Sequence, residues 1–132
     1  MKRFVAIALM LSALTACQQA PAADATYSTG GDPADDPCAR VVSAIGYAGL
    51  LLEPEGREER QNFEDAVLGR LAEVRGITLQ FGSRLPASLS TAVRTVQTAT
   101  EELSRADVPR QDQVALLRRY RAAAGQITAG CA

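Results

Sequence analysis

Apolar residues recur at intervals of three or four along residues 37–132, and this spacing predicts amphipathic helices. Helix one is expected to begin at Pro37, since Asp36 before it is a suitable N-cap and proline is accepted in a first helical turn. It should end at Glu53-Pro54-Glu55-Gly56, because Pro54 disfavours helix before it and Gly56 completes a turn. Its apolar face comprises Cys38, Val41, Val42, Ile45, Ala48 and Leu52.

Helix two is predicted to run from about Arg57 to Phe81, with Gly82 as a terminal left-handed residue. Residues 77–81 also alternate as a strand would, but a lone strand would have no partner, so helix is favoured. The apolar positions of this helix are Phe63, Val67, Leu71, Val74, Ile77 and Phe81.

Two further helices follow. Helix three is expected to open at Pro86 and end near Arg105, and helix four to begin near Pro109 with a cap around Asp107. Their apolar positions are Leu85, Leu89, Val93, Val96, Ala99 or Thr100 and Leu103 in helix three, and Val114, Leu117, Tyr120 or Arg121, Ala124, Ile127 and Cys131 in helix four. Four amphipathic helices joined by short turns predict an all-α domain over residues 37–132, an antiparallel four-helix bundle.

The first 36 residues follow a different pattern. Lys2 and Arg3 precede an apolar run over residues 4–14, which is typical of a removable secretory signal peptide over residues 1–16. The run is much shorter than the roughly 20 residues that a membrane-spanning helix needs. Residues 18–36 are rich in Ala, Pro, Gly, Asp and Thr and lack apolar periodicity, so residues 17–36 are predicted to be a flexible linker.

The apolar run ends in Leu14-Thr15-Ala16-Cys17, which resembles the lipobox of bacterial lipoproteins. The resemblance implies cleavage before Cys17 and a diacylglycerol on its thiol, which would tether the domain to the extracytoplasmic side of a cell membrane. An ordinary secreted protein with an incidental cysteine is the alternative. The remaining chain, rich in alanine and with arginine in place of lysine, looks like small secreted lipoproteins of high-GC bacteria. Whether the host has one membrane or two stays open.

Cys38 and Cys131 are the two cysteines left for pairing. An even number of helices brings the start of helix one and the end of helix four to the same end of the bundle, so a disulfide closing the domain is predicted in an oxidising compartment. A redox-active or metal-binding pair is the alternative. It is disfavoured because there is no C-x-x-C motif, no third soft ligand and no histidine.

Composition removes several classes of function. The chain has no His or Trp, and its single Lys and both Met lie within residues 1–16. Haem and di-iron sites therefore lack their usual ligands, and we expect no cofactor and no metal. Without residues 1–16 the chain has 12 basic and 15 acidic residues, a net charge of −3, which disfavours nucleic acid as a partner. The acidic residues of helix two are predicted to lie on its solvent-exposed face rather than in a metal site: Glu58, Glu59, Glu64, Asp65 and Glu73.

Two features of the sequence keep some functional interest. Arg118, Arg119 and Arg121 form a basic cluster that could meet anionic headgroups, cell-wall phosphates or an acidic partner, or could be a solvated face. The segment Gly46-Tyr47-Ala48-Gly49 either lets helices approach closely or leaves room for an apolar ligand, with Tyr47 and Tyr120 as its polar groups.

The function predicted from these patterns is a membrane-tethered, non-catalytic interaction or structural module of the cell envelope, with an envelope protein as a candidate partner. A carrier or sensor of a small apolar ligand held between helices is the alternative. A carboxylate-dependent enzyme is the third hypothesis, and it is disfavoured because no serine has an activating His or Lys and the paired acids are adjacent on helices. The oligomeric state is not predicted.

Overall fold

A computed structural model describes residue 32 and residues 34–132. Within these residues four α-helices occur and no strand: α1 Pro37–Gly49, α2 Asp65–Phe81, α3 Ser90–Leu103 and α4 Arg110–Gly130. Three short 3₁₀ turns join them, at Glu58–Arg60, Gly82–Arg84 and Ala87–Leu89. The all-helical prediction is confirmed. The predicted signal peptide, Cys17 and residues 18–31 and 33 of the predicted linker lie outside the described residues.

Helix α1 begins as its sequence signals predict. The Asp36 carboxylate accepts a hydrogen bond of 2.7 Å from the Ala39 backbone N–H, and Pro37 occupies the first helical turn. The helix ends at Gly49, before the predicted stop. The chain then turns at Pro54, whose carbonyl accepts from the Arg57 N–H at 3.0 Å, and Gly56 provides the positive φ of 84° that this turn requires.

The predicted start of helix two at Arg57 is wrong. Residues 58–60 form a 3₁₀ turn, and α2 begins at Asp65. The reason is Gln61, which is buried and whose side chain accepts from the Glu53 N–H at 2.7 Å and donates to the Leu51 carbonyl at 3.3 Å. Because these bonds satisfy backbone groups of the preceding loop, residues 50–64 form a folded connection between α1 and α2.

Two predicted helix ends also differ from the structure. Gly82 has a φ of −61° and is not left-handed, because the chain continues from α2 into the next 3₁₀ turn. Glycine is required there for another reason: a Cβ on Gly82 would lie 2.6 Å from the Cγ1 of Val93 in α3. Helix α4 is preceded by Pro109 at the N-cap, without a side-chain hydrogen bond, so the predicted cap around Asp107 is wrong.

The helices share one apolar core. Its largest fully buried side chains are Tyr120, Phe81, Leu71, Leu103, Leu117 and Ile127. Helix α1 packs on α2, α2 on α3, and α3 most extensively on α4, whereas α1 and α4 contact each other much less. The Cys38–Cys131 disulfide joins these two helices, with the Cα atoms 5.5 Å apart, and confirms the predicted pairing. No helix among the described residues is long and apolar enough to cross a membrane.

Candidate functional site: a groove between α1 and α4

A groove of about 650 Å³ lies where α1 and α4 fail to pack closely. The α1 side and the loop after it contribute Ile45, Gly49, Leu52 and Glu55, and the α4 side contributes mostly small residues: Tyr120, Arg121, Ala122, Ala124, Gly125, Thr128, Ala129 and Ala132. The volume falls within the range of about 300–1,000 Å³ that small-molecule sites occupy. The groove is therefore large enough for a ligand.

Tyr120 supplies an unusual polar group beside this groove. Its side chain is 2% exposed, and its hydroxyl makes no hydrogen bond to any residue that the structure describes. Burial raises the pKa of Tyr120 well above its ordinary value, so the phenol stays protonated as a hydrogen-bond donor. A buried donor without a partner is costly, and such groups in native proteins call for an explanation.

Tyr47, the other predicted polar group of the groove, lies elsewhere. Its side chain is 61% exposed, and it does not line the groove. The two glycines beside it were predicted either to allow a close helix contact or to leave room. A Cβ on Gly46 or Gly49 would meet no atom within 4 Å, and Gly49 lines the groove. Neither glycine makes a close helix contact, and of the two Gly49 borders the groove.

An ion cluster lies at the Arg121 end of the groove, and we define it as Glu58, Glu59, Arg118 and Arg121. The Arg121 Nε is 3.3 Å from one Glu58 oxygen and the Arg118 Nε is 3.7 Å from the other, while Arg118 also pairs with Glu59. Arg121 further donates to the Glu53 carbonyl. The cluster fastens the loop after α1 onto α4.

Glu58 is the member of the ion cluster that departs most from its prediction. It was expected on a solvated helix face, but the residue is only 3% exposed. Its own backbone N–H, the Gly56 N–H at 3.1 Å and the two arginines hold the pKa of Glu58 below its ordinary value of 4.5, against the opposing effect of burial. Glu58 is therefore ionised at neutral pH, and its charge is compensated within the cluster.

We expect Glu58→Gln to weaken the protein in a pH-dependent way. Because the folded-state pKa of Glu58 is lowered, its charge contributes stability above pH 4.5, and this contribution is lost as the pH falls through the lower, folded-state value. The variant should melt several degrees below the wild type at pH 7, and the two melting curves should converge between pH 4.5 and more acidic values. Circular dichroism melts at a series of pH values measure this.

Glu55→Gln is the matched control, because Glu55 is exposed, lies in the same loop as Glu58 and forms no ion pair with the residues that the structure describes. It should melt close to the wild type at every pH. A difference between Glu58→Gln and the wild type that stayed constant down to pH 3 would contradict the assigned role of the Glu58 charge.

The three arginines of the predicted basic cluster do not share one environment. Arg118 and Arg121 belong to the ion cluster, where carboxylates face them. Arg119 instead lines two surface hollows, one with Glu102 and Asp112 and the other with Thr91 and Arg94. Carboxylates therefore pair with Arg118 and Arg121, whereas Arg119 shares only the lining of a hollow with two acids.

Neither a metal-binding cluster nor similarity to a known protein indicates a reaction or a ligand for the groove. In the part of the chain that the structure describes, no group of three or more His, Cys, Asp or Glu residues is placed to hold a metal ion. Comparisons with protein-family models, with curated proteins and with solved structures found no match to this chain.

Proposed function

We propose that this protein is a lipid-anchored extracytoplasmic domain, an antiparallel four-helix bundle that acts as a non-catalytic interaction or structural module of the cell envelope. Cys17 would carry the lipid, and residues 17–36 would form a linker that lets the domain stand away from the headgroups. The 19 residues after Cys17, residues 18–36, have a root-mean-square reach of roughly 24 Å as a flexible chain.

The Cys38–Cys131 disulfide is the observation that carries this proposal. It connects the first turn of α1 to the residue after α4, and such bonds persist in oxidising compartments outside the cytoplasm. The hydrogen bond from Arg121 to the Glu53 carbonyl, in the loop that follows the other end of α1, supports an antiparallel arrangement of these two helices. The exposed side chains of Tyr47 and Leu50, 61% and 78% accessible, offer an apolar surface for an envelope partner.

The intact mass of the membrane-extracted protein tests the anchor. We expect a chain beginning at Cys17 with diacylglycerol attached, and no reaction of Cys38 or Cys131 with an alkylating reagent until a reductant is added. Cys17→Ser should abolish the lipid mass and release the protein from the membrane fraction. Wild-type protein without lipid would refute the anchor, and free alkylation of both cysteines would refute the extracytoplasmic assignment.

The groove favours a second candidate function, the carriage or sensing of a small apolar ligand. Helices α1 and α4 are joined at one end by the disulfide and at the other by the ion cluster, so the space between them is bordered by two fixed contacts. A site held open in this way needs little reorganisation to bind a ligand, which favours affinity.

A further inference from the structure

We propose that the outer face of α1 binds a second copy of this chain, with the two α1 helices antiparallel and related by a two-fold axis. We define the outer face as Ser43, Gly46, Tyr47 and Leu50. The inference rests on the proposed interaction function and names its partner. Three observations support it: the absence of charge on the face, the exposure of its large side chains and the match between its large and small positions.

The outer face lies on the side of α1 that points away from the core. Its four residues are exposed and follow the spacing i, i+3, i+4, i+7, which places them on one side of a helix. Leu50 directly follows the helix but keeps helical dihedral angles, φ −65° and ψ −22°. The buried residues Val41, Ala44 and Ala48 form the opposite side. Helix α1 therefore has two uncharged sides, and only one of them packs on the core.

The outer face differs from the exposed surfaces of the other helices in carrying no charge. Residues 41–52 contain no charged side chain. Helices α2, α3 and α4 each have exposed charged residues: Arg70 and Glu73 on α2, Arg94 and Glu101 on α3, and Asp112 and Arg119 on α4. A helix without a charged side is normally covered all round, whereas a surface helix is charged toward solvent. The lack of charge thus marks the outer face of α1 as a contact surface.

Large apolar side chains are exposed mainly at this part of α1. Tyr47 is 61% exposed, Leu50 78% and Leu51 42%, and Leu79 on α2 is the fourth exposed large hydrophobic residue in the described part of the chain. Another apolar surface would remove these side chains from water and be stabilised by their burial. Gly46 beside them offers little area to a bilayer, but it leaves open space in which the backbone of another helix can approach.

A second copy fits the outer face because the large and small residues match under a two-fold axis. When two antiparallel α1 helices cross between residues 46 and 47, Tyr47 of each copy lies opposite Gly46 of the other, and Leu50 lies opposite Ser43. Both large side chains thus meet a small residue, as a self-complementary interface requires. Neither copy brings a charge into the contact, whereas a charged partner would lose hydration without compensation.

The contact is expected to form mainly at the membrane. Helix α1 has 13 residues, fewer than the roughly 20–30 residues that each side of a standard interface contributes, so the contact alone is weak. A lipid on Cys17 of each copy confines both domains to one surface and raises their effective concentration. The dimer should therefore dissociate when Cys17→Ser releases the protein from the membrane.

Photo-crosslinking of the full-length protein in membranes tests the inference. The photoreactive amino acid p-benzoylphenylalanine replaces Tyr47 or, as a control position, Leu79, which is 56% exposed on α2. The probe at position 47 should yield a product of twice the mass of the mature chain, in which both linked tryptic peptides derive from residues 41–57. At least about tenfold less product is expected from position 79, and from position 47 in Cys17→Ser.

Two charge substitutions test the antiparallel register. Leu50→Glu and Ser43→Arg each place an uncompensated charge in the contact, and each should lower the yield of dimer at least about tenfold. The double variant Ser43→Arg/Leu50→Glu should restore it, because each introduced arginine then lies opposite the glutamate of the other copy. Within one chain the two positions are seven residues apart, about 10 Å along the helix.

Leu79→Glu is the matched control, since it adds the same charge at another exposed leucine and should leave the yield of dimer unchanged. Circular dichroism checks that the variants keep the helical content of the wild type. A double variant whose yield stays as low as that of the single variants would overturn the antiparallel register.

The outcomes separate this inference from the proposed function. Absence of a dimer from membranes in which the intact mass shows the lipid would overturn the second copy as the partner and leave the anchor standing. Cross-links to a different protein, or to residues 18–31 of the same chain, would overturn it as well. Equal yields of dimer with and without Cys17→Ser would overturn the role of the membrane. A dimer formed by protein without lipid would overturn the anchor and not the contact.

Discussion

Replacement of both bridging cysteines, Cys38→Ser/Cys131→Ser, is expected to lower the free energy of unfolding by about 4 kcal/mol. The bridge joins residues 93 positions apart, so it restricts the unfolded chain strongly. It also spans the helix pair with few packing contacts, since α1 and α4 are separated by the groove along much of their length. Little else in the fold would replace the constraint that the disulfide provides.

The expected consequence is a melting temperature lower by more than about 15 °C. Helical content below the transition should stay close to that of the wild type, because α1 still packs on α2 and the core residues are unchanged. Ala39→Ser/Ala132→Ser is a matched control, since both positions are exposed and adjacent to the cysteines. A double-cysteine variant that melts within about 3 °C of the wild type would show that the bridge does not constrain the unfolded chain as the entropy model requires.

The features predicted correctly from the sequence are those encoded by neighbouring residues. Asp36 and Pro37 specify the start of α1 because the cap and the helix lie within three residues of each other. Gly56 takes the positive φ expected of a glycine in a turn after proline. The Cys38–Cys131 pairing is the exception, because it joins residues 93 positions apart; it followed from the number of helices and from the assignment of the third cysteine, Cys17, to the lipid.

The features that were missed depend on residues far apart in the chain. Phe63 fits the apolar spacing of α2, but it lies before the helix, partly buried, with the Arg110 guanidinium 5.4 Å from its ring centre. Glu58 reads as a surface acid, but in the fold Arg118 and Arg121, some sixty residues later, compensate its buried charge together with nearby backbone N–H groups. No local pattern could have indicated these contacts, because the spacing of residues along one helix does not specify which loop packs against it.

The glycines of α1 also show that a local pattern does not specify how a neighbouring helix packs. The sequence indicated that Gly46 and Gly49 allow either a close helix contact or room for a ligand, and at Gly49, which lines the groove, the position of α4 decides between the two. The close contact occurs instead at Gly82, between the end of α2 and α3. Small residues on a helix therefore indicate either a close helix contact or an open space at that face, and the position of the neighbouring helix determines which of the two occurs.

Gly82→Ala is expected to destabilise the protein by about 1–3 kcal/mol through overpacking. The new methyl group would lie 2.6 Å from the Cγ1 of Val93, which is buried and, as a β-branched residue in a helix, has one strongly preferred rotamer. Alanine readily adopts the φ of −61° found at Gly82, so the substitution causes no backbone strain. Any loss of stability would therefore come from the contact between α2 and α3.

Gly76→Ala makes the comparison quantitative, because Gly76 is an exposed glycine within α2 whose Cβ would meet no atom within 4 Å. Both substitutions reduce the conformational freedom of the unfolded chain in the same way, and in an open helical position this gains about 0.5–1 kcal/mol. Denaturant unfolding should thus place the two variants on opposite sides of the wild type. Equal stability of Gly82→Ala and Gly76→Ala would contradict this prediction. It would mean that Val93 or α3 shifts to accommodate the methyl group, so that the close approach of α2 and α3 does not depend on glycine.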